Sequence, residues 1–225
     1  MEEITIEMKN KVLFKNAVIL LVASCFIACN SAKENAQDAL TNQMEKAIEA
    51  KTGNKVDLGT ADSYENNSGS VSFVSDGQTF VKTNEKFQAT VVFQKDKEGL
   101  AMSFQFTGAE GKSLLVIVNH IPDDFGIPLT GKFGVNNSYD GVNPVATMML
   151  MQTSENGVLN SPMPFEGTLT FSKLTEAEIT FEVDAKGGNT VDAESPSAWK
   201  PIKVSGKMKS PIIQTSGIDK NTVLK

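Results

Sequence analysis

Between Ser70 and Lys209 the apolar residues of this chain recur at every second position, the period of a strand with one face in a core and one in water. Phe87, Ala89, Val91 and Phe93 alternate with Gln88, Thr90 and Gln94, and after the turn Asp96-Lys97-Glu98-Gly99 the pattern resumes as Leu100, Met102, Phe104 and Phe106. A second turn, from Gly108 to Gly111, leads into Leu114–Val118, apolar on both faces and so read as a central strand. Met148–Met151 is a further apolar strand. Leu169 and Phe171, then Ile179, Phe181 and Val183, then Ile202, Val204, Gly206 and Met208 repeat the alternation. Lys203, Lys207 and Lys209 on the opposite face of that last segment blunt an edge or face water. With Val71–Val74 and Thr79–Lys82 this makes eight to ten short strands separated by turns. The expected fold is mainly β, an antiparallel β-sandwich or open barrel, with Phe104, Phe171 and Phe181 pointing inward and Gln105, Thr170 and Glu182 outward.

One amphipathic helix is expected ahead of the strands, over residues 32–52. Ala36, Leu40, Met44 and Ile48 form a narrow stripe every fourth residue, and Gly53-Asn54 is a stop signal. Docking of the stripe on the β domain is preferred to a membrane-surface helix, because Glu34, Asp38, Glu45 and Glu49 have the wrong sign for one. The expected organisation is a leader over 1–28, a lipidated N-terminus and helix over 29–55, a β domain over 56–215 and a tail over 216–225.

The leader reads as a secretory signal. Lys9, Lys11 and Lys15 precede an apolar run, Ala17–Ala28, too short to span a bilayer comfortably. The acidic stretch before Met8 has the wrong sign for such a signal, which points to Met8 as the true start. Both cysteines of the chain fall here. Each ends a stretch resembling the bacterial lipobox, Val22-Ala23-Ser24-Cys25 and Phe26-Ile27-Ala28-Cys29. Cys29 is preferred for lipidation, since the apolar run ends there and a polar tract follows; Cys25 is the alternative, and an ordinary cleaved signal is the plainer reading. Acylation at more than one point would anchor the chain stably to an envelope membrane, expected to be the outer membrane, with the membrane face left open.

All 21 basic residues are lysines, and the formal net charge is −6. Without the planar guanidinium fork there is no bidentate clamp for phosphates or guanine edges, so nucleic acid is excluded as a partner.

Candidate chemistry is sparse. His120 is the only histidine; it could serve a hydrolase as general base with Asp123 and Asp124, or be one ligand of a metal site, and the plainer reading is a strand-end histidine bonded to a loop. Asp123, Asp124 and Asp140, in Asn136-Asn137-Ser138-Tyr139-Asp140-Gly141-Val142-Asn143, offer oxygen ligands suited to calcium but lack the spacing of a calcium loop, and turn chemistry explains them as well. Met148, Met149, Met151 and Met163 could attract copper(I), though methionine is a common core filler. Glu176, Glu178, Glu182 and Asp184 read as a solvated strand face rather than as paired catalytic acids. Trp199, between Pro196 and Pro201, could stack on a sugar or partner, but packing over the open end of the fold is the preferred role. No metal and no cofactor are expected.

The segments Phe87-Gln88-Ala89, Pro128-Leu129-Thr130-Gly131-Lys132-Phe133, Gly167-Thr168-Leu169-Thr170-Phe171-Ser172-Lys173-Leu174 and Val204-Ser205-Gly206-Lys207-Met208, in that order, resemble a family of uncharacterised Bacteroidota lipoproteins. The resemblance covers roughly residues 70–210. It implies a lipidated N-terminus and a β-sandwich of unknown function, and brings no catalytic residues with it. The expected function is a non-catalytic binding or interaction module, taking an unknown protein or small ligand through loops 121–144 and 185–201. The alternatives are a hydrolase using Asp123, Asp124 or His120, and a structural envelope component.

Overall fold

Alternation turns into strand pairing along most of the chain. The computed structural model describes residues 42–50, 53, 55–58, 66–108, 112–154, 157–159 and 161–225. The first six strands are β1 (Val56–Asp57), β2 (Ser68–Ser75), β3 (Gln78–Val81), β4 (Phe87–Asp96), β5 (Gly99–Gly108) and β6 (Ser113–Ile121). Next come β7 (Leu129–Gly134), β8 (Val145–Ser154), β9 (Gly157–Leu159) and β10 (Met163–Leu174), and finally β11 (Glu178–Gly188), β12 (Lys200–Lys209) and β13 (Ile212–Ser216). The protein is mainly β, with one large sheet in the order β1-β13-β4-β5-β6-β8-β7-β10-β11-β12-β2-β3 and β9 beside β8.

The inner register is the one the alternation demands. Phe73, Phe93, Phe104, Phe106, Phe171 and Phe181 are all 0% exposed. β5 and β10 are separated in the sheet by β6, β8 and β7, yet the Phe104 and Phe171 ring centroids lie 4.5 Å apart. Phe106 of β5 likewise meets Phe181 of β11 at 5.9 Å. The strand path therefore bends until its inner faces meet, and Gly69 of β2 pairs with Phe87 of β4 to bring its two runs together.

Gly206 shows what this packing requires locally. It is the cross-strand partner of Phe181, and a Cβ there would lie 2.3 Å from the Phe181 ring. The glycine lets the ring lie over bare backbone. Gly131 does the same where β7 meets β8, since a Cβ would approach the Ala146 Cβ to 3.2 Å. That junction has a single pair, Lys132 with Val145, and Lys132 N–H donates to the Pro144 carbonyl at 2.8 Å.

Two expectations need correction. The strands number thirteen among the described residues, not eight to ten, because two- and three-residue strands such as β1 and β9 are too short to display a period. The sheet is not purely antiparallel, as β13 runs parallel to β4 and β7 parallel to β8. All five residues of β13 are buried, which removes the alternation that would have announced it. The lysine-bearing β12 is internal, between β11 and β2, so of the two roles expected for its lysines they take the water-facing one.

The described part of the N-terminal helix, α1 (42–50), docks through unexpected groups. Ala36, Leu40 and the rest of the expected helix before residue 42 lie outside the described residues. Met44 and Ile48 are half-buried, and so are Glu45 and Glu49. Leu58 N–H donates to Glu45 Oε1 at 2.8 Å, and Val56 N–H to Glu49 Oε1 at 3.0 Å. The rise of about 6 Å over four helical residues nearly matches the two-residue rise of a strand, so two glutamates four apart can satisfy the N–H groups of Val56 in β1 and of Leu58 just after it. At the other end of the chain, α2 (Lys220–Val223) buries Val223 completely. Lys225 N–H donates to the Leu174 carbonyl at 2.7 Å, and its ammonium lies 4.9 Å from the centre of the Phe125 ring.

Candidate functional site

The outward positions of β10, β11, β12 and β2 carry hydroxyls and charges in registered rows. One row crosses the strands as Thr130, Thr170, Glu182, Ser205 and Ser72, and the next as Lys132, Thr168, Asp184, Lys203 and Val74. This outer face is not flat. It encloses an open groove of about 430 Å³, whose polar floor includes Thr168, Thr170, Glu182, Ser205 and Ser72. A shallower hollow beside it shares Ser72, Glu182 and Ser205 and adds Thr180 and Lys207.

Electrostatics set Glu182 apart within this face. Asp184 is paired with Lys203. Glu178 holds Lys207 at 2.7 Å and Lys173 at 3.2 Å, and these hydrogen bonds keep its carboxyl below the usual range. Glu176 is engaged by Lys220 at 3.0 Å, which raises the lysine's pKa. Glu182, central to both hollows, has no ion-pair partner among the described residues. Its row neighbours are hydroxyls, with Thr130 and Thr170 at 3.5 Å from each other.

The loop 135–144 follows β7 and leads into β8. Asp140 shapes it by accepting from the N–H groups of Asn143 at 2.7 Å and Val142 at 2.9 Å, and from the Asn143 side-chain amide at 2.7 Å. Those bonds, with Lys132 at 3.8 Å, lower the Asp140 pKa to about 2. Asp140 thus builds a turn with both of its oxygens. His120 lies at the end of β6, where the pairing with β5 slips by a bulge, and its backbone is left-handed at φ 58°. Its imidazole stacks on Tyr139, centroids 4.2 Å apart and planes 15° from parallel. Tyr139 remains 44% exposed and Val142 73%.

The remaining sequence candidates are dispersed. Asp123 is drawn to Lys95 at 2.7 Å, while the partner of His120 is the Tyr139 ring. Asp124 is exposed in the turn after β6. Trp199 is half-buried at the start of β12; its indole N–H donates to the Asp192 carbonyl at 2.9 Å and its ring lies 5.7 Å from Phe165. Those contacts fasten the loop before β12 to the start of β10. Met148 points into the core, whereas Met149 is 40% exposed on the opposite face of β8. Cys25 and Cys29 lie outside the described residues.

Sequence reasoning dismissed the groove face as solvated. Its outward positions on β2, β10 and β12 carry Ser72, Thr168, Thr170 and Ser205, residue types common on any strand face, so composition alone did not set the groove apart. Comparison with known proteins adds no family to this geometry, since no family model, curated protein or solved structure matches the chain.

Proposed function

We propose that this chain is a lipid-anchored protein of the bacterial envelope whose β domain is a non-catalytic binding module, of the kind its strand and turn motifs resemble. The finer architecture proposed is a β-sandwich, with β13-β4-β5-β6-β8 facing β7-β10-β11-β12-β2-β3; the Phe104–Phe171 contact between non-neighbouring strands supports it. The anchor rests on the basic stretch, the apolar run and Cys29, with Cys25 as the alternative.

The observation that carries the binding reading is the hydroxyl-lined groove on the outer face of β10, β11, β12 and β2. Its floor is made of strands, so its polar groups are held in place before any ligand arrives. Its two acids, Glu182 and Asp184, stand side by side on one strand, whereas glycosidic cleavage needs acids flanking the scissile bond. The hydrolase alternative requires His120 to act with Asp123 or Asp124, and the contacts of His120 with Tyr139 and of Asp123 with Lys95 work against that assembly.

Two measurements test the proposal. Mass spectrometry of the processed protein should find an acylated N-terminal Cys29; an unmodified terminus elsewhere ends the anchor reading. A photo-crosslinker placed at Ser205 in cells should trap envelope material, and the same probe at Gln105 of β5 should not. Equal yields from both positions would remove the groove from the proposal.

A further inference from the structure

We propose that Met149, on the outer face of β8, is a modification site of the folded domain, the position at which it takes up oxygen from a peroxide as methionine sulfoxide while the fold stays intact. The inference stands apart from the groove and does not rest on it. The neighbours Met148 and Met149 carry the argument. Strand alternation sends Met148 into the core, where it is 1% exposed, and Met149 outward, where it is 40% exposed. Met102 and Met208 are buried as Met148 is, and Met44, Met151 and Met163 are half-buried. Among the described residues Met149 is therefore the methionine most open to solvent.

Exposure matters because of how the sulfur reacts. A sulfur lone pair attacks one oxygen of the peroxide, and the S–O bond forms as the O–O bond breaks. Sulfur gives up two electrons. The departing hydroxide receives, through solvent water, the proton left on the transferred oxygen and becomes water itself. Both the approach of the oxidant and this proton relay need solvent at the side chain, which Met149 has and Met148 lacks.

The place of the product sets its effect. A sulfoxide at Met102, Met148 or Met208 would bury a hydrogen-bond acceptor among apolar side chains. At Met149 the new oxygen meets water. Its cross-strand partner is Leu115, so the change is confined to the outer row, where one apolar member becomes polar. Reductases that act on methionine sulfoxide can reach the side chain without unfolding the domain, which makes the modification reversible.

The test is a timed exposure of the full chain in detergent micelles to hydrogen peroxide, with each methionine followed by peptide mass mapping. Met149 should gain oxygen first, and Met102, Met148 and Met208 should lag it by about tenfold or more. In guanidinium chloride these four should react at one rate, which assigns the lag to the fold. Protein oxidised at Met149 alone should melt within about 1 °C of the parent. Reductases for the two sulfoxide epimers should restore its thioether. Met149→Leu should abolish the first oxygen uptake and leave the slower ones unchanged. The proposal is overturned if Met148 keeps pace with Met149 in the folded chain, or if Met44, Met151 or Met163 is oxidised ahead of it. It is equally overturned if the singly oxidised protein melts several degrees lower, or if the reductases leave the sulfoxide in place.

Discussion

On the run β4-β5-β6-β8 the outward positions include Gln105, Leu115 and Met149, paired in one row, with Ile117 and Met151 nearby. On the run β10-β11-β12-β2 the corresponding row is Thr170, Glu182, Ser205 and Ser72. Inward, the two runs are alike, with phenylalanine against phenylalanine. Outward, one mixes amides, half-buried aliphatics and hydroxyls such as Thr90, Ser103 and Thr147, and the other carries hydroxyls and charges with few aliphatics. The core dictates which side chains point in and how large they are, and leaves the outward residues free to vary. A polar outer face therefore carries information about use that the inner face cannot.

The largest expected effect tests that division. Phe104→Ala or Phe171→Ala removes a fully buried ring from the contact between the runs and should cost about 3–5 kcal/mol in denaturant unfolding. Thr170→Ala and Glu182→Ala, one residue out of phase, should stay within about 0.5 kcal/mol. A costly Thr170→Ala would mean that the hydroxyl row holds the fold together and is not free for a ligand.

Next in size is Gly206→Ala. The added Cβ would press into the Phe181 ring, and overpacking of this kind costs about 1–3 kcal/mol. In a Phe181→Leu background the cost should shrink, because the two residues share one contact. An additive double variant would show that the ring does not lie over the glycine in solution.

A smaller effect belongs to the edge of the first run. Alanine at both Glu45 and Glu49 leaves the Val56 and Leu58 N–H groups to water, and should lower stability by about 1 kcal/mol. Hydrogen exchange at those two amides should accelerate while the Phe93 amide in β4 stays protected. Unchanged exchange at Val56 and Leu58 would mean that α1 does not cap the edge.

These cases mark what was legible in the residues. The period of two fixed the inward set, from Phe87 through Met208, because slipping one residue would have put every phenylalanine in water. It could not reveal β13, which is buried throughout, nor the order in which strands meet, since β7 joins β8 in parallel through a single residue pair, Lys132 with Val145. The site was less legible still. His120 and Asp140 were visible as residue types, but Tyr139 became part of a candidate site only through its stack on His120. Glu182 looked like any solvated acid until the neighbouring strands showed every acid near it, Asp184 and Glu178 included, already engaged by a lysine. Partnership across strands is a property of register, and no single strand contains it.

The smallest expected effect lies in the loop that crosses from one run to the other. Asp140 has a folded pKa of about 2 against a usual 3.8, chiefly because the Asn143 backbone and side-chain N–H groups and the Val142 N–H donate to its carboxylate. With the folded value depressed, the turn contributes its full stabilisation above pH of about 4, where folded and unfolded chains are both ionised. As pH falls toward about 2 the unfolded chain takes up its proton first, and the contribution fades and is gone below the folded value. The carboxylate is exposed to solvent, so the melting temperature should fall only slightly over this window. Asp140→Asn, which keeps an accepting oxygen but does not titrate, should lack that increment. The Val142 and Asn143 amide resonances should titrate with a midpoint near pH of about 2. A midpoint at the usual carboxylate value would mean that the turn is not formed in solution, and Tyr139 would then lack the fixed loop that holds its ring against His120.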